Sequence, residues 1–276
     1  MDGRSVVRWN DLMTTRTNPW PAGVPCWADL MTPDVEAAIV FYGSVLGWEF
    51  AATEAEYGGY TIAQSQGRAA GGIGPAQVGA RTAWTLYFAS DDTDATAAAI
   101  TANGGSVLGD PADVGPLGRM CIAADPTGAV FGVWQAGEHL GAEVANEPGG
   151  LTWEDLRSTD PETAIAFYAA VFGLEGKPMP MASDDYRTLH LAGDDAPIGG
   201  AGGMMGAPDG TPSHWLVYFA VGDCDASVAA AVAGGGTSLA DPWDTPFGRM
   251  APVTDPWGAT FFVAQLPADV AEPQRA

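Results

Sequence analysis

One pattern of residues occurs twice along the chain, and this duplication limits the possible folds more than any other feature of the sequence. The segment that starts at Trp27 (WADLMTPD) returns at Trp153 (WEDLRSTD), an offset of 126 positions (153 − 27), and the pair Phe41-Tyr42 returns as Phe167-Tyr168. Later, the motifs Gly-Arg-Met and Asp-Pro-X-Gly each return at an offset of 130 (248 − 118 and 255 − 125). The chain therefore carries two copies of one domain.

Each copy alternates between strand and helix patterns. Residues 27–32 predict a strand, and Asp34 opens a helix whose apolar positions keep helical spacing until Gly47 ends it. A further strand (84–89), a helix (91–101) and two strands joined by an Asp-Pro-Thr-Gly turn (118–134) complete the copy. The second copy repeats these elements at 215–221, 223–232 and 248–265. Each copy thus reads as two βαβββ units.

The prediction is an α+β protein of two tandem domains. Its parts are an N-terminal arm (1–24), a first domain (25–136), a glycine-rich aperiodic linker (137–150), a second domain (151–268) and a tail (269–276). With 276 residues and 47% hydrophobic content, the chain is long enough for two buried cores.

Charge and composition exclude some partners. The formal net charge of −23 would repel a phosphate backbone, so nucleic acid is not expected, and the same field favours neutral or cationic ligands. No apolar run approaches the roughly 18 residues of a membrane span, and no secretory leader is recognisable, so we expect a cytoplasmic protein without a membrane partner. Cys26, Cys121 and Cys224 are far apart and are predicted to be buried, inert thiols.

Several of the repeated motifs resemble those of a known protein family. They are Asp34 with Phe41-Tyr42 and Leu46-Gly47, Asp91-Asp92, Asp125-Pro126-Thr127-Gly128, and the matching set in the second copy. Together they are similar to the vicinal-oxygen-chelate superfamily, which includes glyoxalases, bleomycin-resistance proteins and extradiol dioxygenases, and in particular to tandem glyoxalase-like proteins of actinobacteria, some of them from antibiotic gene clusters. The resemblance spans about residues 25–266. It implies that each pair of βαβββ units forms a half-open, cup-shaped barrel.

The resemblance also implies where the metal ligands of the superfamily would lie, and those positions are poorly suited to a metal. They hold Trp27, Thr85 and Gln135 in the first copy, and Trp153, Leu216 and Gln265 in the second. Zinc, iron and manganese prefer imidazole and carboxylate ligands. We therefore expect no metal and no other cofactor. A displaced site formed by Asp155, His214 and Gln265, with His190 nearby, stays open.

In place of a metal, the resemblance places aromatic and polar side chains in each cup. The predicted ligand-binding residues are Trp27, Asp29, Met31, Tyr87 and Gln135 in the first cup, and Trp153, Asp155, His214, Tyr218 and Gln265 in the second, where Arg157 also lies. Flat aromatic walls suit planar or cationic organic groups. The alternative is that the tryptophans are ordinary core residues.

One difference separates the copies. Asp155 has Arg157 two residues later on the same strand face, where an ion pair can form, whereas Asp29 has Met31 there. An unpaired carboxylate in an aromatic cup would attract an amine, which favours the first cup as the ligand site. Arg119 and Arg249, from the repeated Gly-Arg-Met strands, could instead neutralise both acids.

Three functions remain open at this point. The leading one is a protein that binds or sequesters an aromatic or amine-bearing metabolite, such as an antibiotic or a biosynthetic intermediate. The second is an enzyme of the glyoxalase-like type, for example a lyase, a dioxygenase or a hydroxylase accessory, with a displaced metal site or with Asp29, Asp155 or His214 as acid or base. The third is a protein-binding module. Because the duplication supplies paired units within one chain, we expect a monomer or a homodimer.

Overall fold

Each copy folds into one mixed sheet with two helices. The computed structural model describes residues 16, 18–50, 58–179 and 182–267. The first half contains β1 (Pro25–Thr32), α1 (Val35–Leu46), β2 (Glu49–Phe50), β3 (Thr61–Ser65), β4 (Arg68–Pro75), β5 (Ala83–Ala89), α2 (Thr93–Ala102), β6 (Ser106–Val107), β7 (Ala112–Asp113), β8 (Gly118–Ala124) and β9 (Val130–Ala136). The second half contains β10 (Leu151–Arg157), α3 (Pro161–Phe172), β11 (Leu174–Pro178), β12 (Arg187–Leu191), β13 (Pro197–Gly202), β14 (His214–Ala220), α4 (Cys224–Ala233), β15 (Thr237–Ser238), β16 (Trp243–Thr245), β17 (Gly248–Thr254) and β18 (Thr260–Gln265).

The strand order confirms two βαβββ units in each half. In the first sheet the order is β2-β3-β4-β1-β5-β9-β8-β6, and β7 pairs with β8. The central strands β1 and β5 are antiparallel, and each pairs in parallel with the last strand of its own unit, β4 or β9. The second sheet repeats this order as β11-β12-β13-β10-β14-β18-β17-β15. The order ends in different strands at the two edges, so each sheet stays open.

Each helix is capped at its start by an aspartate. The side chain of Asp34 accepts a hydrogen bond from the backbone N–H of Ala37, which satisfies a donor that the first helical turn leaves unpaired. Asp92, Asp160 and Asp223 cap their helices in the same way. At the other end of α1, Gly47 adopts a left-handed conformation with φ 70°, which favours glycine. The helices predicted after Asp34, at 91–101 and at 223–232 are confirmed.

The two faces of the central strands have different surroundings. Residues 28, 30, 86 and 88 lie on one face and belong to a large core that contains residues of both halves; we call this the packed face. Residues 27, 29, 85 and 87 alternate with them and lie on the opposite face, which we call the cup face. The second half divides in the same way, with Leu156 and Phe219 on its packed face.

The two halves share one hydrophobic core between their packed faces. The Phe88 ring stacks on Phe172, with 4.9 Å between centroids, and Trp84 meets Phe219 edge-on at 5.0 Å. The Tyr42 hydroxyl donates across the boundary to Asp255 Oδ2 at 3.0 Å. The repeated Phe-Tyr and Asp-Pro-X-Gly motifs therefore hold the halves together.

The linker lies against the first residues of the central strands β1 and β4. The backbone N–H of Ala142 donates to the Cys26 carbonyl, and Arg68 forms an ion pair with Glu147 at 2.6 Å. Part of the predicted arm (1–15 and 17) and the predicted tail (269–276) lie outside the described residues. Among the residues that are described, no helix combines the length and the apolar character that a bilayer span requires.

Candidate functional site

The first cup is built around a buried carboxylate. Trp27 and Asp29 lie on the cup face of β1, Tyr87 lies on the adjacent strand β5, and Tyr60 precedes β3. The Tyr87 hydroxyl donates to Asp29 Oδ2 at 3.0 Å, and the Tyr60 hydroxyl donates to the same oxygen at 3.4 Å. The Trp27 indole N–H donates to the Tyr60 hydroxyl at 2.9 Å. Three aromatic side chains thus enclose one carboxylate.

Two glycines let the tyrosines lie flat on the sheet. A Cβ atom on Gly72, which pairs with Asp29, would lie 1.8 Å from the Tyr60 hydroxyl oxygen. A Cβ atom on Gly132, which pairs with Tyr87, would lie 2.1 Å from the Tyr87 ring. Any other residue at either position would therefore displace a tyrosine from Asp29.

The Asp29 carboxylate is only partly satisfied. Asp29 is 4% exposed, and its Oδ1 atom has no hydrogen-bond partner among the described residues. Burial raises the pKa of Asp29 to about 7, although the hydrogen bonds from Tyr87 and Tyr60 act to lower it. Burial and the nearby Asp29 charge raise the pKa of both tyrosine hydroxyls well above their usual value, so they remain donors. The cup therefore offers one free carboxylate oxygen in an aromatic, desolvated setting.

The second cup repeats these residues at equivalent positions. Asp155 accepts from Tyr218 at 2.8 Å through Oδ2, and from Tyr186 at 2.7 Å and the Trp153 indole at 3.0 Å through Oδ1. Arg157 adds an ion pair to Asp155 Oδ2 at 2.7 Å. Although burial acts to lower it, Asp155 and the two tyrosines raise the Arg157 pKa above its usual value, so the guanidinium stays charged. Both oxygens of Asp155 are satisfied and its charge is neutralised.

The predicted difference between the cups is present, and the alternative arginine partners are ruled out. Arg119 pairs with Asp94 and Asp113 on the surface of the first half. Arg249 pairs with Asp225 and Asp244 in the second half. Neither arginine reaches the carboxylates of the cups.

Two predicted cup residues lie elsewhere, so this part of the prediction is wrong. Gln135 shares its side of β9 with Val133 of the packed face, and its side-chain oxygen accepts the backbone N–H of Thr93 at the start of α2. Gln265 accepts the N–H of Cys224 at the start of α4 in the same way. Strand alternation turns these amides toward the helices.

Met31 and His214 lie at the margins of their cups. A Cβ atom on Gly74 would meet the Met31 sulfur at 3.1 Å and the Tyr60 ring at 2.9 Å, so the thioether borders the first cup. His214 lies at the start of β14, opposite Arg157, and its Nδ1 atom is 2.8 Å from the Pro212 carbonyl. His214 therefore lies at the rim.

The implied metal positions do not fit a metal ion. The Trp27 indole donates its N–H to Tyr60 and has no lone pair for a cation, and Gln135 is turned to α2. The displaced site is also wrong, because Gln265 faces α4 while both oxygens of Asp155 are hydrogen-bonded. Within the described ranges, no three His, Cys, Asp or Glu side chains are grouped so that they could hold one metal ion.

The remaining histidines and the three cysteines contact neighbours that suggest no catalytic role. The Nε2 atom of His190 is 2.8 Å from the Thr188 hydroxyl. His139, in the linker, meets the Trp27 ring edge-on at 4.5 Å, and burial lowers its pKa to about 4, so it is neutral near pH 7. The three cysteines are buried, and burial raises the pKa of each thiol. Low-pKa reactive thiols are therefore not found at these positions.

Comparisons with known proteins agree with this architecture. The model of the Glyoxalase/Bleomycin resistance protein/Dioxygenase superfamily matches residues 26–133 and 150–263. CFP32 of Mycobacterium bovis, provisionally named as a glyoxylase, is 43% identical over 87% of this chain and 94% of its own length. The anthracycline biosynthesis protein DnrV of Streptomyces peucetius is 37% identical over 88% of this chain and 94% of its own length.

Solved structures show the same fold at low sequence identity. The Mn(II)-bound glyoxalase of Novosphingobium aromaticivorans superposes with a TM-score of 0.65 at 16% identity, covering 88% of this chain and 82% of that one. The 2,2',3-trihydroxybiphenyl 1,2-dioxygenase of Sphingomonas wittichii gives 0.60 at 16% identity, covering 90% and 93%. On the two family matches and these relatives, the chain belongs to the glyoxalase/bleomycin resistance/dioxygenase superfamily.

Proposed function

We propose that this protein binds a small organic cation with a planar aromatic part, and that the first cup is the binding site. The observation that carries the proposal is the free Oδ1 atom of Asp29, buried among three aromatic side chains. The equivalent carboxylate in the second half is neutralised by Arg157, while the first half has Met31 at that position. A ligand amine would supply the missing positive charge.

The surroundings of Asp29 suit such a ligand. Trp27 and Tyr87 are buried rings beside the carboxylate. When the cup opens to a ligand, they would offer aromatic surface to a planar group and to a cation. The net charge of −23 raises the local concentration of cations around the whole molecule. Met31 is half-buried and flexible, so it can move aside as a ligand binds.

The relatives support a polycyclic aromatic ligand. Two of them, from Streptomyces, are named as anthracycline biosynthesis proteins and are 37% identical to this chain. An anthracycline glycoside combines a planar chromophore with an amino sugar, which are the two features that the first cup favours. In this role the protein would hold or present such a metabolite.

The second candidate is an enzyme in which Asp29 transfers a proton. A buried carboxyl whose pKa is raised to about 7 can both donate and accept a proton near neutral pH. The superfamily also contains enzymes with this fold. Turnover of a bound aromatic substrate that Asp29→Asn abolishes, with binding retained, would favour this second function.

The binding proposal is tested by titrating the protein with an anthracycline that carries an amino sugar and following tryptophan fluorescence. We expect Met31→Arg, which copies the arginine of the second half, to pair with Asp29 and weaken binding at least about tenfold. Asp29→Asn should weaken it similarly, and the sugar-free aglycone should bind wild type and variants with similar affinity. Unchanged affinity in Asp29→Asn, together with loss in Asp155→Asn, would move the site to the second cup.

A cytoplasmic location and a monomeric or homodimeric state remain part of the proposal. The core that the two halves share within one chain is the observation that supports the monomeric state. Light scattering on the purified chain distinguishes monomer from dimer.

A further inference from the structure

A second carboxylate lies buried beside a small cavity between the halves, which shares Trp153 with the second cup. Glu154 is on β10, next to Asp155, and is 7% exposed. It lines a cavity of about 60 Å³ bounded by the arm at Trp20 and Val24, by the linker at Ala145, and by Ile198 of β13. A volume of this size holds roughly four water-sized groups, or the head group of a small organic molecule.

The carboxylate of Glu154 has nothing to neutralise it. In the described part of the chain no hydrogen bond or ion pair reaches it, and the other residues that line the cavity carry no charge. Burial, and then the nearby Asp155 charge, raise the pKa of Glu154 to about 8. An unpaired buried acid of this kind lowers the stability of the fold. Packing alone does not call for an acid at this position.

The walls of the cavity are those that a cation favours. Trp20 and Trp153 both line it. The Arg16 guanidinium carbon lies 3.6 Å from the Trp20 ring centroid, which shows that this ring can hold a cation. Among the described residues no ion pair joins Arg16 to Glu154, so this guanidinium is no partner for the carboxylate.

The first half has no acid at the equivalent position. Ala28 is at the position equivalent to Glu154 (offset 126) and is buried in the shared core. The buried acid is therefore particular to the second half.

We propose that this cavity is a second binding site, for a small primary ammonium group, with Glu154 as its anionic partner and Trp20 and Trp153 as its walls. The site takes a head group and not a polycyclic ligand, because the cavity is small. It is independent of the proposed function, since Asp29 does not line it.

The test uses ethylammonium chloride as the probe and the indole N–H resonances of ¹⁵N-tryptophan-labelled full-length protein as the readout. At pH 9, above the raised pKa of Glu154, the acid is ionised and ethylammonium is still charged. We expect saturable shifts of the Trp20 and Trp153 signals, assigned from Trp20→Phe and Trp153→Phe. Glu154→Gln, which keeps the shape and removes the charge, should raise the midpoint at least tenfold. Ethanol, of similar size and neutral, should give no saturable shift at the same concentrations.

A second variant tests the shape of the cavity without altering the acid. Ile198→Trp enlarges a side chain that lines the cavity and should fill it, so that ethylammonium no longer shifts the two signals. Asp29→Asn should leave the ethylammonium midpoint unchanged even though it weakens anthracycline binding. Each of the two proposals can therefore be contradicted without affecting the other. The proposal is overturned if Glu154→Gln, folded by circular dichroism, gives the wild-type midpoint, or if ethanol produces the same saturation.

Discussion

The two halves have the same strands and helices, but the buried acids Asp29 and Asp155 have different partners. In the second cup Asp155 is held by Tyr186, Tyr218, Trp153 and Arg157, so its charge is balanced within the protein. In the first cup the arginine is replaced by methionine, and one oxygen of the carboxylate has no hydrogen-bond partner among the described residues.

The difference indicates that the cups have separate tasks. A buried ion pair with its hydrogen bonds complete fixes the conformation of the surrounding side chains, whereas a buried carboxylate with a free oxygen costs stability until something binds it. The second cup therefore needs no ligand to complete the hydrogen bonds of its carboxylate. The first cup has an incomplete set, which is why we propose it as the binding site.

The largest expected effect on stability comes from removing the arginine that neutralises Asp155 in the second half. Arg157→Met gives Asp155 the surroundings of Asp29, and removal of one partner from a buried pair should lower the free energy of unfolding by about 3 to 5 kcal/mol. Urea unfolding followed by circular dichroism measures the loss. The double variant Arg157→Met/Asp155→Asn should recover much of it, and a loss below about 1 kcal/mol in the single variant would show that the pair is not important for stability.

A second effect should appear in the pH dependence of the first half. Below about pH 4 both the folded and the unfolded chain hold the Asp29 proton; between about pH 4 and 7 only the folded chain does, because its pKa is raised to about 7. The wild type therefore loses stability as pH rises through this window. Relative to wild type, Asp29→Asn should become more stable from pH 4 to pH 7, by up to roughly 4 kcal/mol.

Thermal unfolding at pH 4, 5.5, 7 and 8.5 measures this difference. The exposed Asp209→Asn variant is the control for removing one negative charge from a chain of net charge −23. A difference between Asp29→Asn and wild type that does not change with pH would contradict the raised pKa.

The smallest effect is expected where the halves do not differ. Gln135→Ala and Gln265→Ala each remove the acceptor for one backbone N–H at a helix start, and each should cost about 1 kcal/mol of unfolding free energy. Anthracycline affinity should stay unchanged in both. If either variant lost binding at unchanged stability, the amide would have to face a cup after all.

The fold could be predicted because its signals are local and occur twice. The capping aspartates, the glycine after α1 and the strand alternation each fix a short segment, and duplication confirmed the assignment within one sequence. The repeated Phe-Tyr pair was recognised as a family feature, but its role was not evident, because the Tyr42 contact with Asp255 joins residues 213 positions apart. Contacts of this kind depend on how the halves pack.

The site was only partly predictable, for a geometric reason. Alternation along β1 placed Trp27 and Asp29 on one face, but counting along β9 did not show that Gln135 is on the other. Tyr60 and Tyr186 were missed, although they also share the offset of 126; their signal was this repeat, together with the paired glycines that give each ring room. The sequence did not indicate that Glu154 is buried, because its burial depends on contacts with the arm and the linker.

The shared core has a consequence for synthesis of the chain on the ribosome. The first 136 residues contain a complete sheet, but Phe88 and Phe131 on its packed face are covered by residues of α3 and β14 that are made later. Until those residues emerge, the nascent first half exposes a broad apolar surface, of the kind that promotes aggregation. We expect folding to be completed only after β18 has emerged, because Phe261 also belongs to the shared core, so cells that overproduce the first half alone should accumulate it in insoluble form.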